Sequence, residues 1–316
     1  AFGLAAFAIL MPMTAVVLVI LLIITLSYRD VINVYTKVGG AYIVSRDNFG
    51  PVVAQIAAVA LILDYIVTVA IQSAAGVAAI ISTFPSLHPY KIPMILVVIV
   101  LLTYGNLRGV KEAGKAFALP TYFFVGCMFI VFSVGLYKQF NGTLIQLSVE
   151  QPGAVEIGQE QGLLTFAAIF ILLRAFANGG SSLTGLEAIS DGVALFKTPE
   201  HVNARRTLYI MSTLLGTLVL GVSWFAHKIH AVPYETGTPT VISQIAKTIM
   251  GEGAVGQIMF VMVQLATMLI LFAGANTTYS AFPILVNFVA TDGYLPRQLT
   301  KLGHRLAFSN GILLLA

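Results

Sequence analysis

Asn178-Gly-Gly-Ser-Ser-Leu-Thr-Gly185 interrupts a run that is otherwise apolar from residue 163 to residue 195. Three of its eight residues are glycine, and each loosens a helix by roughly 1 kcal/mol relative to alanine. Inside hydrocarbon every backbone polar group must be satisfied by the protein, so a helix breaks only where protein or a water-filled cavity surrounds the break. Secondary transporters use such discontinuous helices near the bilayer midplane, binding substrate and coupling ions through freed carbonyls and half-helix ends. The plainer alternative is a kinked packing helix whose small residues form a helix–helix seam.

Composition puts the run in a membrane. Of 316 residues, 58% are apolar and 9% charged, against about a quarter charged in ordinary soluble domains, and mean hydropathy is +0.92. A soluble fold of this size could not cover its core with so little polar surface. A cytosolic enzyme, a disulfide-rich secreted domain and a disordered chain are excluded. The net charge of +4 is spread over short loops, which gives nucleic acid nothing to bind. The single cysteine, Cys127, cannot form an internal disulfide. The start lacks a basic stretch and a cleavage site, so it is no signal peptide. It also lacks Met, and the end falls inside an apolar run, as expected for a piece of a longer protein.

Apolar runs long enough to cross, roughly 20 residues for a straight helix, fall at 12–27 (with a weaker start at 2–10), 52–83, 92–107, 116–137, 163–195, 207–229 and 254–290, and another opens at 308–316. The polar patch and Pro283 late in 254–290 predict that its last part is a separate interfacial turn. Alternate loops carry three basic residues each: Arg29, Lys37 and Arg46; Arg108, Lys111 and Lys115; Lys197, Arg205 and Arg206; Arg297, Lys301 and Arg305. The other loops share Lys91, Lys138, Lys228 and Lys247. The basic loops, 28–51, 106–116, 196–206 and 291–307, are expected in the cytoplasm, and the loop at 138–162 outside. The chain is thus an all-α, multi-pass protein of the cell membrane.

Asp64 is the one acid in the interior of an uninterrupted span. It lies about 18 Å deep at 1.5 Å per residue, where a carboxylate costs at least ~2.5 kcal/mol and marks a functional site by default. Thr68, at i+4, shares its face, and Tyr65 adjoins it. The alternative is a carboxylate satisfied by a neighbouring hydroxyl. Beyond the break, Thr184, Glu187 and Asp191 fall at i, i+3 and i+7 and predict one polar helix stripe; early acids also suit a helix dipole. Arg174, on the first half of the broken run, pairs with an acid or snorkels. Asn276, Thr277, Thr278, Tyr279 and Ser280 offer ligand contacts or interhelical hydrogen bonds. Trp224 and most Phe and Tyr read as packing or interface anchors. His227 and His230 are too few ligands for a metal. No phosphate loop, nucleophile elbow or zinc signature is present.

Several stretches resemble the amino acid–polyamine–organocation (APC) superfamily: Gly39-Gly-Ala-Tyr-Ile-Val-Ser-Arg-Asp-Asn-Phe-Gly50, and Ser181-Ser-Leu-Thr-Gly-Leu-Glu-Ala-Ile-Ser-Asp-Gly-Val193 followed by Phe196, Pro199 and Asn203-Ala204. Within it, Asn106-Leu-Arg-Gly109, Ala275-Asn-Thr277, Ser280-Ala-Phe-Pro283, Leu306 and Phe308-Ser-Asn-Gly-Ile312 resemble the KimA-type potassium transporters of the KUP family. The resemblance implies a LeuT-like fold of two inverted five-helix repeats, residues 1–316 forming a single transporter domain from the end of its first helix to the start of its ninth. It implies a cation path lined by Asp64, Tyr65 and Thr68 on the third helix and Thr184 and Glu187 on the sixth; Gln72, Ser181, Asp191 and Asn276 are secondary candidates. Gln72 stands where that group can carry serine, and is bulkier.

The expected function is K+ uptake coupled to H+ through a midplane site between those helices, with K+ held by Asp64, Thr68, Thr184 and Glu187. Carboxylates suit a dehydrated cation, and one of them can carry the proton. The alternative is a permease for an amino acid or polyamine; an amino acid's carboxylate would be repelled by Asp64 and Glu187 unless its amine faced them. A channel is disfavoured because the break is single, with no repeated filter, and an enzyme because no nucleophile–base pair or cofactor motif is evident. No cofactor is implied. The expected partners are the small cation or organic solute, the proton and the lipid bilayer, and a homodimer is compatible with them.

Overall fold

The computed structural model describes the backbone of residues 5–35, 40–108, 113–155, 166–180, 183–193, 196–301 and 309–316; the side chains of residues 5, 6, 113–117, 166–168 and 191 are outside the described set. Among the described residues the chain forms eleven α-helices and no strand, only an isolated bridge between Ala154 and Tyr234. The helices are α1 (Ala5–Val34), α2 (Gly40–Phe49), α3 (Pro51–Thr83), α4 (Lys91–Leu107), α5 (Ala113–Phe140), α6 (Phe166–Gly180), α7 (Glu187–Asp191), α8 (Glu200–Ile229), α9 (Val241–Met250), α10 (Ala254–Thr291) and α11 (Ser309–Leu315). Among the described residues, six stretches are long and apolar enough to cross a membrane: Phe7–Val34, Pro51–Thr83, Pro85–Leu107, Ala118–Phe140, Glu200–Ile229 and Ala254–Thr291.

Local chemistry explains several ends. Pro51 opens α3 at a position where its missing N–H costs nothing. Glu200 lies in the first turn of α8 and His227 and Lys228 in the last, each matched to the helix dipole. The end of α10 departs from the sequence reading. The helix runs unbroken through Pro283 to Thr291, with no separate turn. Packing overrides the proline's lost hydrogen bond: Pro283 is buried, and a Cβ on Gly311 of α11 would come within 3.0 Å of its ring. The preceding polar patch is satisfied sideways, as described below.

The described helices gather into two compact units. The first holds α1, the end of α5 from Val131, α6, α7, α8 and most of α9. Its core includes Val17, Leu21, Leu186, Ile189 and Leu208. Thr25 of α1 and Ser212 of α8 add a polar link, their hydroxyls 2.9 Å apart. Along the α5–α8 seam, Phe132 and Phe225 stack with centroids 5.5 Å apart. Each ring fills the space left by a glycine on the other helix, Phe132 at Gly221 and Phe225 at Gly135.

The second unit holds α2, α3, α4, α5 up to Ile130, α10 and α11. Its core includes Tyr65, Val69, Tyr279, Phe282 and Val286. The α3–α10 seam repeats the same device: Phe272 fills the space at Gly76, and Gln72 the space at Gly274.

Candidate functional site

The first candidate group lies on α3. Asp64 is half-buried in the middle of the 33-residue helix. Among the described residues it has no ion pair and no side-chain hydrogen bond. Thr68 and Gln72 follow at one-turn intervals and are also half-buried, so the three run along one side of the helix. Tyr65 is buried against α10, its ring edge-on to Phe282 at 6.3 Å. Gln72 lies with its amide across Gly274, and its Oε1 is buried without a hydrogen-bond partner among the described residues.

The second group lies at the broken run, and the break is real. α6 is described to Gly180, Leu183–Leu186 form no α-helix, and α7 begins at Glu187. At Gly185 the backbone has φ 93°, open to glycine and strained for other residues. The break changes the expected stripe. Thr184 lies in the turn ahead of Gly185 rather than on a helix, so helical spacing does not relate it to Glu187. The second half is also shorter than the run to residue 195 suggested: α7 ends at Asp191, where Gly192 closes the helix. Glu187 is only 8% exposed. Its Oε2 accepts the Gly185 N–H at 2.9 Å, and its carbonyl accepts the Ser190 hydroxyl at 2.8 Å. The acid therefore satisfies an amide that the break sets free. Ser181 lies outside the described residues, as does the side chain of Asp191.

Asn276 is engaged in packing. Asn106 Nδ2 donates to its Oδ1 at 2.6 Å and to the Leu102 carbonyl at 2.8 Å. Tyr279 is 1% exposed with its hydroxyl 3.0 Å from that of Thr103. The hydroxyls of Thr277 and Thr278 both turn back to the Gly274 carbonyl. The patch thus serves as interhelical and local hydrogen bonds. Arg174 is exposed and has no ion pair among the described residues. His227 Nδ1 lies 2.9 Å from the Phe7 carbonyl, and no cluster of three metal-ligating side chains occurs among the described residues.

One polar cluster escaped the sequence reading. Tyr42 of α2 donates to Asp292 Oδ2 at 2.6 Å, and Arg46 Nη1 donates to both oxygens of the same carboxylate, at 2.9 and 3.2 Å. Gln55 Nε2 completes the set on the Tyr42 hydroxyl at 3.4 Å. Burial, then the bond to the carboxylate, pushes the Tyr42 phenol up to about 12. The Tyr42 bond, then Arg46, holds Asp292 below the usual carboxylate range, and Asp292 raises Arg46. A tyrosine and an arginine one helical turn apart were the available sequence signal, but nothing in sequence names their distant acid.

The family model of the amino acid permeases matches residues 2–316. The potassium transporter KimA of Bacillus subtilis (strain 168) is 40% identical over 312 residues, which are 98% of this chain and 49% of KimA. The chain thus spans about half the length of that curated relative. With its long apolar helices and broken α6–α7 run, the chain is a multi-pass, all-α membrane protein of LeuT-like fold and belongs to the amino acid permease family of transporters.

Proposed function

We propose that the protein containing this chain takes up K+ by secondary active transport, with H+ as the coupling ion. The observation that carries the reading is Asp64, a half-buried carboxylate in the middle of a membrane-spanning helix without an ion pair or hydrogen bond among the described residues. A carboxylate kept there at cost needs a cation or a proton to balance it. Tyr65 and Thr68 supply oxygens beside it on α3. Thr184 and Glu187 supply the sixth-helix share of the path, and one of the two carboxylates carries the proton. Residues 1–316 act as one transporter domain, with the basic loops in the cytoplasm. Its partners are the cation, the proton and the bilayer. Similarity to KimA, named a potassium transporter, supports the choice of ion.

The test uses the full-length protein in a bacterium lacking its own potassium uptake systems, with growth followed at limiting K+. Rescue by the wild type and not by Asp64→Asn is the expected result. No rescue, with the protein confirmed in the membrane, overturns K+ and leaves the amine-bearing solutes of the amino acid permeases, whose ammonium group Asp64 would meet.

A further inference from the structure

Phe132, Phe225 and their two glycines interlock α5 with α8 inside the first unit. A second tie lies at the C-terminal ends of the same two helices. The chain that follows α5 folds back onto the chain that follows α8. The Leu147 N–H donates to the Ile229 carbonyl at 2.8 Å, the Val155 N–H to the Pro233 carbonyl at 2.9 Å, and the Glu235 N–H to the Gly153 carbonyl at 3.1 Å. The Tyr234 hydroxyl adds a bond to Gln151 Oε1. The first of these bonds takes up a carbonyl in the last turn of α8, where no helical N–H remains to meet it.

Both sides of the tie are prepared for it. On the α5 side, Gln151 Nε2 donates to the Ser148 carbonyl at 2.7 Å and the Ala154 N–H to the Gln151 carbonyl at 3.0 Å. Gly153 takes φ 79°, the left-handed region that suits glycine. On the α8 side, Gln244 of α9 holds both polar groups of Val232. Its Oε1 accepts the Val232 N–H at 3.1 Å and its Nε2 donates to the Val232 carbonyl at 2.7 Å, all of them buried. No residue from 143 to 155 is buried, so hydrophobic burial does not fix this segment. Ordering such a chain costs conformational entropy, and the polar ties are what offset it.

We propose that residues 147–155 are a strap that locks the end of α5 to the end of α8 and stays shut throughout transport, so that the two helix ends move as one body. The opposite arrangement is a cover that parts from α8 in each cycle. The bridge geometry separates the two. The Val155 and Glu235 bonds flank Ala154 and Tyr234, which makes these a non-hydrogen-bonded antiparallel pair. The Cα atoms of such a pair stand about 4.5 Å apart, within the span that a disulfide bridges. The strap can therefore be sealed covalently without pulling the backbone. The uptake measurement below rests on the reading of the cargo as K+.

The test introduces Ala154→Cys and Tyr234→Cys together in the full-length protein, with any cysteine outside residues 1–316 replaced, and reconstitutes it in proteoliposomes. Cys127 is buried and stays away from the oxidant. Oxidation is expected to join the pair, read by peptide mapping, and the oxidised protein is expected to take up K+ as fast as the same protein after reduction. A second variant, Val155→Pro, removes the donor to Pro233. Hydrogen exchange at Leu147 and Glu235 is then expected to rise together by about fivefold, the worth of one hydrogen bond. Loss of uptake on oxidation would show a strap that has to open, and would overturn the proposal. Failure of the pair to join, or a rise in exchange at one amide without the other, would overturn it as well. The crosslinking and exchange arms need no cargo. If the wild type carries no K+, the K+ reading fails by itself, and the strap stands or falls on those two arms.

Discussion

Tyr42 and Asp292 stand 250 residues apart in the chain and share a hydrogen bond of 2.6 Å. The bond ties α2, a ten-residue helix with little apolar surface to bury, to the end of the longest helix in the structure. Arg46 grips the same carboxylate from one turn further along α2. Asp292→Asn removes the charge that both partners answer. It is expected to lower stability by about 1.5–3 kcal/mol, the range of hydrogen bonds to charged groups, measured as a drop in the thermal midpoint of the purified protein. Tyr42→Phe is expected to cost a similar amount, and the double variant less than the sum, because the two share one interaction.

The same cluster sets a pH dependence. Neutral Tyr42 is the form that donates, and its folded value of about 12 lies above the ordinary phenol value of 10.0. Its contribution is fully present below about pH 10 and is lost as pH rises toward 12. Asp292 acts in the opposite sense: its value is lowered, so its contribution is lost as pH falls through that lowered value. A titration of tyrosinate absorbance, wild type minus Tyr42→Phe, checks the upper limb; a difference curve centred at the ordinary phenol value would refute it.

Glu187 offers a way to separate holding the break from handling charge. Its Oε2 accepts the Gly185 amide, and a glutamine carbonyl can accept it too. Glu187→Gln is expected to keep the thermal midpoint near that of wild type while lowering cation uptake at least about tenfold, since the intramembrane charge is what the cation answers. Glu187→Ala is expected to lose both stability and uptake. Equal uptake in wild type and Glu187→Gln would assign the residue to the break alone.

The α5–α8 seam predicts stability without transport chemistry. An alanine Cβ at Gly221 or Gly135 would enter the ring of Phe132 or Phe225. Each substitution is expected to cost about 1–3 kcal/mol through overpacking, read as a lower thermal midpoint. Phe132→Leu is expected to restore part of the loss in Gly221→Ala and to leave Gly135→Ala unrelieved.

Much of this was legible because the membrane simplifies the sequence. The six long spans, the break before Glu187 and the isolated Asp64 follow from rules about burying backbone and charge. What failed were inferences that needed tertiary neighbours. Pro283 reads as a stop and is not one, because α11 packs on its ring. Thr184 reads as one stripe with Glu187, because a periodic rule assumes helix where Gly185 turns the chain. Asn276 is open to two readings until Asn106 is seen to reach it. The Tyr42–Asp292 tie and the seat of Gln72 on Gly274 join segments far apart in sequence, where no local pattern reports a contact.

The carboxylate that closes the break at Gly185 is also the one proposed to meet the cargo, and a carboxylate has only two oxygens to share. A cation drawing on Oε2 withdraws electron density from the bond to the Gly185 amide, so occupancy and local backbone order are coupled. By reciprocity, a change that strengthens the bond between the Gly185 amide and Oε2 weakens the cargo's hold on that oxygen. Hydrogen exchange at the Gly185 amide would then report loading directly, rising as the site fills.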